Sequence, residues 1–259
     1  MRRELIGFAC IGLGACNGAT DGESVEALGK SEAALTAGAL DVDFQGCTEM
    51  ASLALAAVAD LRPRVPLGYQ IANEASGTGF VVVRVAACAN VVIEGRSDGA
   101  GTVAQVGANL ISPDGTGDIN NYTLWYYTTS PRLFLRLLAR GVNAQLTRDI
   151  TFAVTPTGGG NAQLAVTVPG YPAFSVAGPV VLPTASPVPY VANWWRDHGR
   201  GHARMNTVLP AIQFSSAHLT LTNPSNALGK IFGAATVTFP IFDSYNAFPD
   251  AHMTVADVP

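Results

Sequence analysis

Hydrophobic and polar positions alternate in short runs along most of the chain, and glycine or proline punctuates those runs. A period of two predicts strands over 79–87, 90–94, 102–111 and 122–129, with a turn at Ala89 and a glycine-rich loop over 95–101. A hairpin is predicted from 145–155 and 162–168 across Gly158-Gly159-Gly160, and further strands over 173–181, 191–196, 203–208 and 212–222. Helical spacing of apolar residues predicts a helix over 48–61, with Glu49 in its first turn and Pro63 and Pro66 ending it. The best marked helix follows Ser130-Pro131, a serine cap with proline at the first helical position, and stops at Gly141. On it, Leu133, Phe134, Leu135, Leu137 and Leu138 form one face, and Arg132, Arg136 and Arg140 form a stripe on the other. A short helix is expected over 224–232. The residues therefore predict a mainly β (α+β) single domain with two or three helices.

The first residues follow a different pattern. Arg2 and Arg3 precede an apolar run over 5–15, too short to span a hydrocarbon core but suited to a signal peptide. It ends in Leu13-Gly14-Ala15-Cys16, which resembles the lipobox of bacterial lipoproteins. The resemblance implies a signal peptide over 1–16, lipid attachment at Cys16, and a protein anchored to the membrane of the bacterial cell envelope. An ordinary signal peptide with secretion and a retained cytoplasmic N-terminus are the alternatives. Residues 17–46 are rich in Gly, Ala, Ser and acidic residues and read as a flexible tether, leaving 47–259 as the β-rich domain. That domain keeps Cys47 and Cys88, which in an oxidising compartment form one disulfide; two buried thiols are the other reading.

Hydrophobic residues make up 48% and charged residues 13%, so a sizeable core is feasible. The net charge of -4, with no basic block interleaved with aromatics, excludes nucleic acid as the expected partner. Lys30 and Lys230 are the only lysines against thirteen arginines, which removes most candidate amine nucleophiles. Neither G-x-S-x-G nor a phosphate-binding loop of the G-x-x-x-x-G-K type occurs.

The segment over 61–71 (LRPRVPLGYQI) leads into the strand at Gly79, and an aromatic strand precedes the capped helix. That helix ends in Arg140-Gly141-Val142-Asn143-Ala144-Gln145, and a hairpin follows. This order, over about 60–240, resembles acetoacetate decarboxylase and its relatives. The resemblance implies a closed or partly closed β-barrel-like antiparallel sheet around a small-molecule cavity. It also places the catalytic lysine pair of that family near Asn143 and Ala144, and one of its glutamates near Leu137. None of these residues fits, so the resemblance implies a cavity without Schiff-base decarboxylation and without a cofactor.

The ligand-binding candidates are Tyr122, Trp125 and Tyr127 of the aromatic strand, with Arg136 and Asn143 from the resemblance. Strand alternation sends Trp125 and Tyr127 to one face and Tyr122 and Tyr126 to the other. The expected ligand is a small apolar or carboxylated molecule. A lyase or hydratase working through Asp, His or Tyr, and an interaction module of the envelope, are the alternatives. Two weaker motifs carry metal readings. In Trp194–Arg204 (WWRDHGRGHAR) a hairpin turn would bring His198 and His202 together, and solvated surface histidines are the plainer reading. Asp114–Asn120 spaces oxygen side chains as a calcium loop does but has Ile119 where the loop needs glycine and Trp125 where it needs glutamate.

Overall fold

The computed structural model describes residues 38–199, 201–223 and 226–258. The expected signal peptide, Cys16 and most of the tether lie outside them. The order begins with β1 (Leu40–Ala57), a single helical turn α1 (Val58–Leu61), β2 (Thr78–Ile93), β3 (Arg96–Ser97), β4 (Gly101–Leu110) and β5 (Ile119–Thr128). Helix α2 (Pro131–Ala139) follows, then β6 (Ala144–Leu146), β7 (Thr151–Gly158), β8 (Asn161–Val168) and β9 (Phe174–Val181). The chain closes with β10 (Val188–His198), β11 (Gly201–Ser216), β12 (Thr220–Thr222), α3 (Asn226–Phe232), β13 (Thr236–Thr238) and β14 (Phe242–Val258).

Seven long strands, in the order β1-β14-β11-β10-β5-β4-β2, form a barrel that the β1–β2 pairing closes. Closure leaves these strands no exposed hydrogen-bonding edge. The barrel is mixed rather than purely antiparallel: β5 runs parallel to β10 and, further along, to β6. A second, antiparallel sheet, β13-β12-β9-β8-β7, covers one side. Alternate residues split the apolar content into two cores. Met50, Ala54, Val83, Val85, Val106 and Tyr127 face the second sheet, where Leu164, Val166 and Val176 meet them. Val82, Ala86, Cys88, Val103, Tyr126 and Met205 fill the barrel from inside, and Leu133 and Leu137 of α2 join them.

The first two long strands depart from expectation at three places. The segment predicted as a helix over 48–61 is strand to Ala57, and helix survives only in α1. Its alanines suit a helix intrinsically, but here the backbone pairs with both β2 and β14, and tertiary pairing overrides that preference. The same strand takes in residues 40–46 of the expected tether. The turn predicted at Ala89 is also absent, because β2 runs unbroken through it and turns only at Glu94-Gly95. Both of those residues have positive φ, 50° and 74°, as a two-residue hairpin turn requires. The ends of helix α2 follow the sequence closely: the Ser130 hydroxyl accepts from the Leu133 N–H at 3.0 Å, and Gly141 has φ 75°. Of its expected apolar face, Leu133 and Leu137 are buried, whereas Leu135 and Leu138 are exposed.

Candidate functional site

One strand position on each of β1, β2 and β14 puts a polar side chain inside the barrel. Glu49, Arg84 and Asn246 point inward from neighbouring strands, where alternation would otherwise supply an apolar residue. The Arg84 Nε donates to Glu49 Oε2 at 2.8 Å, and its Nη2 reaches the same oxygen. Its Nη1 donates to Gln105 Oε1 at 2.9 Å, and Asn246 Nδ2 donates to Glu49 Oε1 at 3.3 Å. The side chains of Glu49 and Arg84 are only 8% and 14% exposed. Two charges taken this far from water persist only because each neutralises the other and both are hydrogen-bonded.

This cluster forms the polar floor of a cavity of about 50 Å³. Its walls are apolar: Val82, Trp194, Leu209 and Ile212 are buried, while Leu53, Tyr190, Phe214 and Phe242 are half-buried toward the mouth. Tyr190 and Phe214 meet edge to face, ring centroids 5.5 Å apart. Trp194 fits because Gly107 lies beneath it; a Cβ there would come within 2.6 Å of the indole Cζ3. Three buried polar atoms of this region have no hydrogen-bond partner: Asn246 Oδ1, Gln105 Nε2 and Trp194 Nε1. Each such atom costs about 1–3 kcal/mol relative to a satisfied one, and two of the three belong to residues that line the cavity, Asn246 and Trp194. Burial pushes the Tyr190 phenol pKa up, with the charges of Asp118 and Glu49 adding to the effect, so its hydroxyl stays protonated at the mouth.

The residues singled out from sequence lie elsewhere. The ladder between β4 and β5 shifts register between Val106 and Gly107, so Leu124 is an extra residue. The shift breaks simple alternation: Tyr122 joins Trp125 and Tyr127 on the outer face, and Tyr126 alone turns inward. None of Tyr122, Trp125 and Tyr127 lines the cavity, and the 121–145 segment touches it only through Asn121. Arg136 forms a surface ion pair with Glu94. Asn143 is exposed, while Ala144 beside it is buried in the barrel core with Tyr126 and Leu137. The register of the β10–β11 hairpin pairs Asp197 with His202 and His198 with Gly201, which puts the two histidines on opposite faces. His202 Nδ1 instead meets Asp197 at 2.7 Å and the Tyr69 hydroxyl at 3.1 Å, and His198 meets Asp257 at 3.1 Å. No cluster of three potential metal ligands occurs among the described residues. Asp114 is tied into a turn with Thr116 and into an ion pair with Arg204. Burial opposes its ionisation, but those hydrogen bonds and the guanidinium outweigh it and hold the carboxyl below its ordinary pKa. The cysteines do pair: Cys47 and Cys88 lie directly opposite each other on β1 and β2 and form a disulfide.

Glu49, Arg84 and Asn246 were missed by sequence reasoning, although one signal was present. In Gly79–Ala87 (GFVVVRVAA), a single arginine interrupts an apolar strand buried on both faces. A charge in such a run needs an internal partner.

A barrel of this topology with a flanking antiparallel sheet has known counterparts. An acetoacetate decarboxylase-like enzyme from Sphingomonas wittichii RW1 superposes with a TM-score of 0.54 at 11% identity, covering 86% of this chain and 92% of that one. The acetoacetate decarboxylase of Legionella pneumophila gives 0.51 at 10% identity, covering 84% and 87%. This chain has the acetoacetate decarboxylase-like fold. The enduracididine biosynthesis enzyme MppR, solved with pyruvate bound, superposes with 0.50 at 13% identity, covering 86% and 90%. In sequence, no family profile and no curated protein matches the chain.

Proposed function

We propose that this protein binds a small molecule inside its barrel, on the outer side of a bacterial membrane, and does so without Schiff-base chemistry. The observation that carries the reading is the cavity floored by Glu49, Arg84 and Asn246, with unpartnered polar atoms buried around it. Small-ligand binding accords with the fold, since MppR of the same fold holds pyruvate. Among the described residues, no lysine lies in the barrel interior to form a Schiff base. Lys230 lies exposed on α3, Lys30 falls outside the described residues, and Ala144 stands where the resemblance puts a lysine. The export half of the reading rests on the lipobox-like Leu13–Cys16 segment. The Cys47–Cys88 disulfide supports it, because such bonds persist in oxidising compartments. No described helix is long and apolar enough to cross a membrane.

Native mass spectrometry of the full chain, compared with its denatured mass, tests both halves. An organic mass lost on denaturation is expected from the cavity ligand, and an acyl mass retained after denaturation is expected at Cys16. A chain that carries neither, and takes up none from an extract of its host, would sink the proposal.

A further inference from the structure

Resting on the small-ligand reading, we infer that the cavity selects an uncharged molecule whose head group both donates and accepts hydrogen bonds, an alcohol or a primary amide on a short hydrocarbon body. The argument is an accounting of which polar atoms are already committed. Arg84 spends Nε and Nη2 on Glu49 and Nη1 on Gln105, and the second oxygen of Glu49 takes Asn246. No charge on the floor is left without its opposite.

The buried atoms of this region left with no partner at all belong to neutral groups, and their polarity is fixed by their neighbours. Asn246 must turn its NH2 to the Glu49 carboxylate, so the free atom is the carbonyl oxygen, an acceptor. Gln105 must turn its oxygen to the Arg84 guanidinium, so the free atom is the amide nitrogen, a donor. The third is the Trp194 indole N–H, which can only donate. Trp194 and Asn246 both line the cavity, and Asn246 is fully buried. A hydroxyl or primary amide carries both kinds of partner, a donor for Asn246 Oδ1 and an acceptor for the indole. A carboxylate offers no donor to Asn246 and meets Glu49 with its cation already taken; an ammonium offers no acceptor to Trp194 and meets Arg84. Either ion would be desolvated without compensation. The apolar walls of Val82, Leu209, Ile212 and Phe214 take the hydrocarbon body, and a volume of about 50 Å³ keeps it short.

The test is a matched four-carbon series of n-butanol, butyramide, butyrate and butylammonium, titrated into the intact protein by calorimetry and thermal shift. The alcohol and the amide are expected to bind and raise the melting temperature, with both ions weaker by about tenfold or more. Trp194→Phe removes the N–H with part of the ring, and should weaken the alcohol and the amide more than it weakens either ion. Glu49→Gln frees the Arg84 charge and should move the preference toward butyrate. Butyrate binding as tightly as the alcohol in the unaltered protein would overturn the inference while leaving the small-ligand reading intact. Neutral ligands unaffected by Trp194→Phe would overturn the head-group assignment. If none of the four binds, the head-group inference falls, and the small-ligand reading is decided by the native mass measurement.

Discussion

Inside a barrel, a single residue changes the chemistry of the whole lumen because every side chain there shares one small, poorly solvated volume. Arg84 is such a residue. Its guanidinium is held by Glu49 and Gln105, and removing it would strand the Glu49 carboxylate beside an apolar wall. Breaking a buried pair from one side costs about 3–5 kcal/mol, whereas replacing both partners by apolar residues of like volume can be neutral or stabilising. Arg84→Met is therefore expected to lower the unfolding free energy by about 3–5 kcal/mol, and adding Glu49→Leu should recover much of that loss. Urea denaturation of the two variants checks it; a double variant no better than the single one would refute the ion-pair account. Arg84 was visible in the sequence as the one charge in a valine run, but its partner was not. Glu49 lies 35 residues away in a segment whose alanines read equally well as helix, and only strand pairing joins the two.

At the scale of elements, β1 is the keystone, since it pairs with β14 on one side and β2 on the other and so closes the cylinder. The Cys47–Cys88 disulfide pins one of those two seams at residues 41 apart in sequence. Closing a loop of that length removes unfolded-state entropy worth about 4 kcal/mol in the chain-entropy account. Cys47→Ala/Cys88→Ala is expected to lower stability by about that amount. Its denaturation midpoint should match that of the reduced parent, and a parent indifferent to reduction would show that the bond constrains little. The capped helix α2 was legible because its signals are local: a serine hydroxyl, a proline, a glycine. The register shift opposite Gly107 was not, because an extra residue in one strand is defined only against its partner. That shift turned Tyr122 to the outer face, where it joins Trp125 and Tyr127.

For the whole molecule, the tyrosines set a limit on the alkaline side. Burial raises the phenol pKa of Tyr126, Tyr127 and Tyr190 above the ordinary value of about 10. The folded state thus holds those protons more tightly than the unfolded chain does. The stability they contribute is full below about pH 10 and is lost as pH rises from there toward the folded pKa values. Denaturation curves across that range should show stability falling, with phenolate absorbance from these residues appearing together with loss of near-ultraviolet circular dichroism. Phenolates that form near pH 10 in a protein still fully folded would contradict their burial. Much of this molecule follows from its sequence alone. Alternating hydrophobicity fixes a β-rich domain, the local caps fix α2, and two cysteines remain available to pair. These signals act between residues close in the chain or need no partner at all. The closing of the barrel, the register of β5 and the meeting of Glu49, Arg84 and Asn246 were decided only in three dimensions. Each depends on which strand lies beside which, and a strand shows its partners only through long-range pairing.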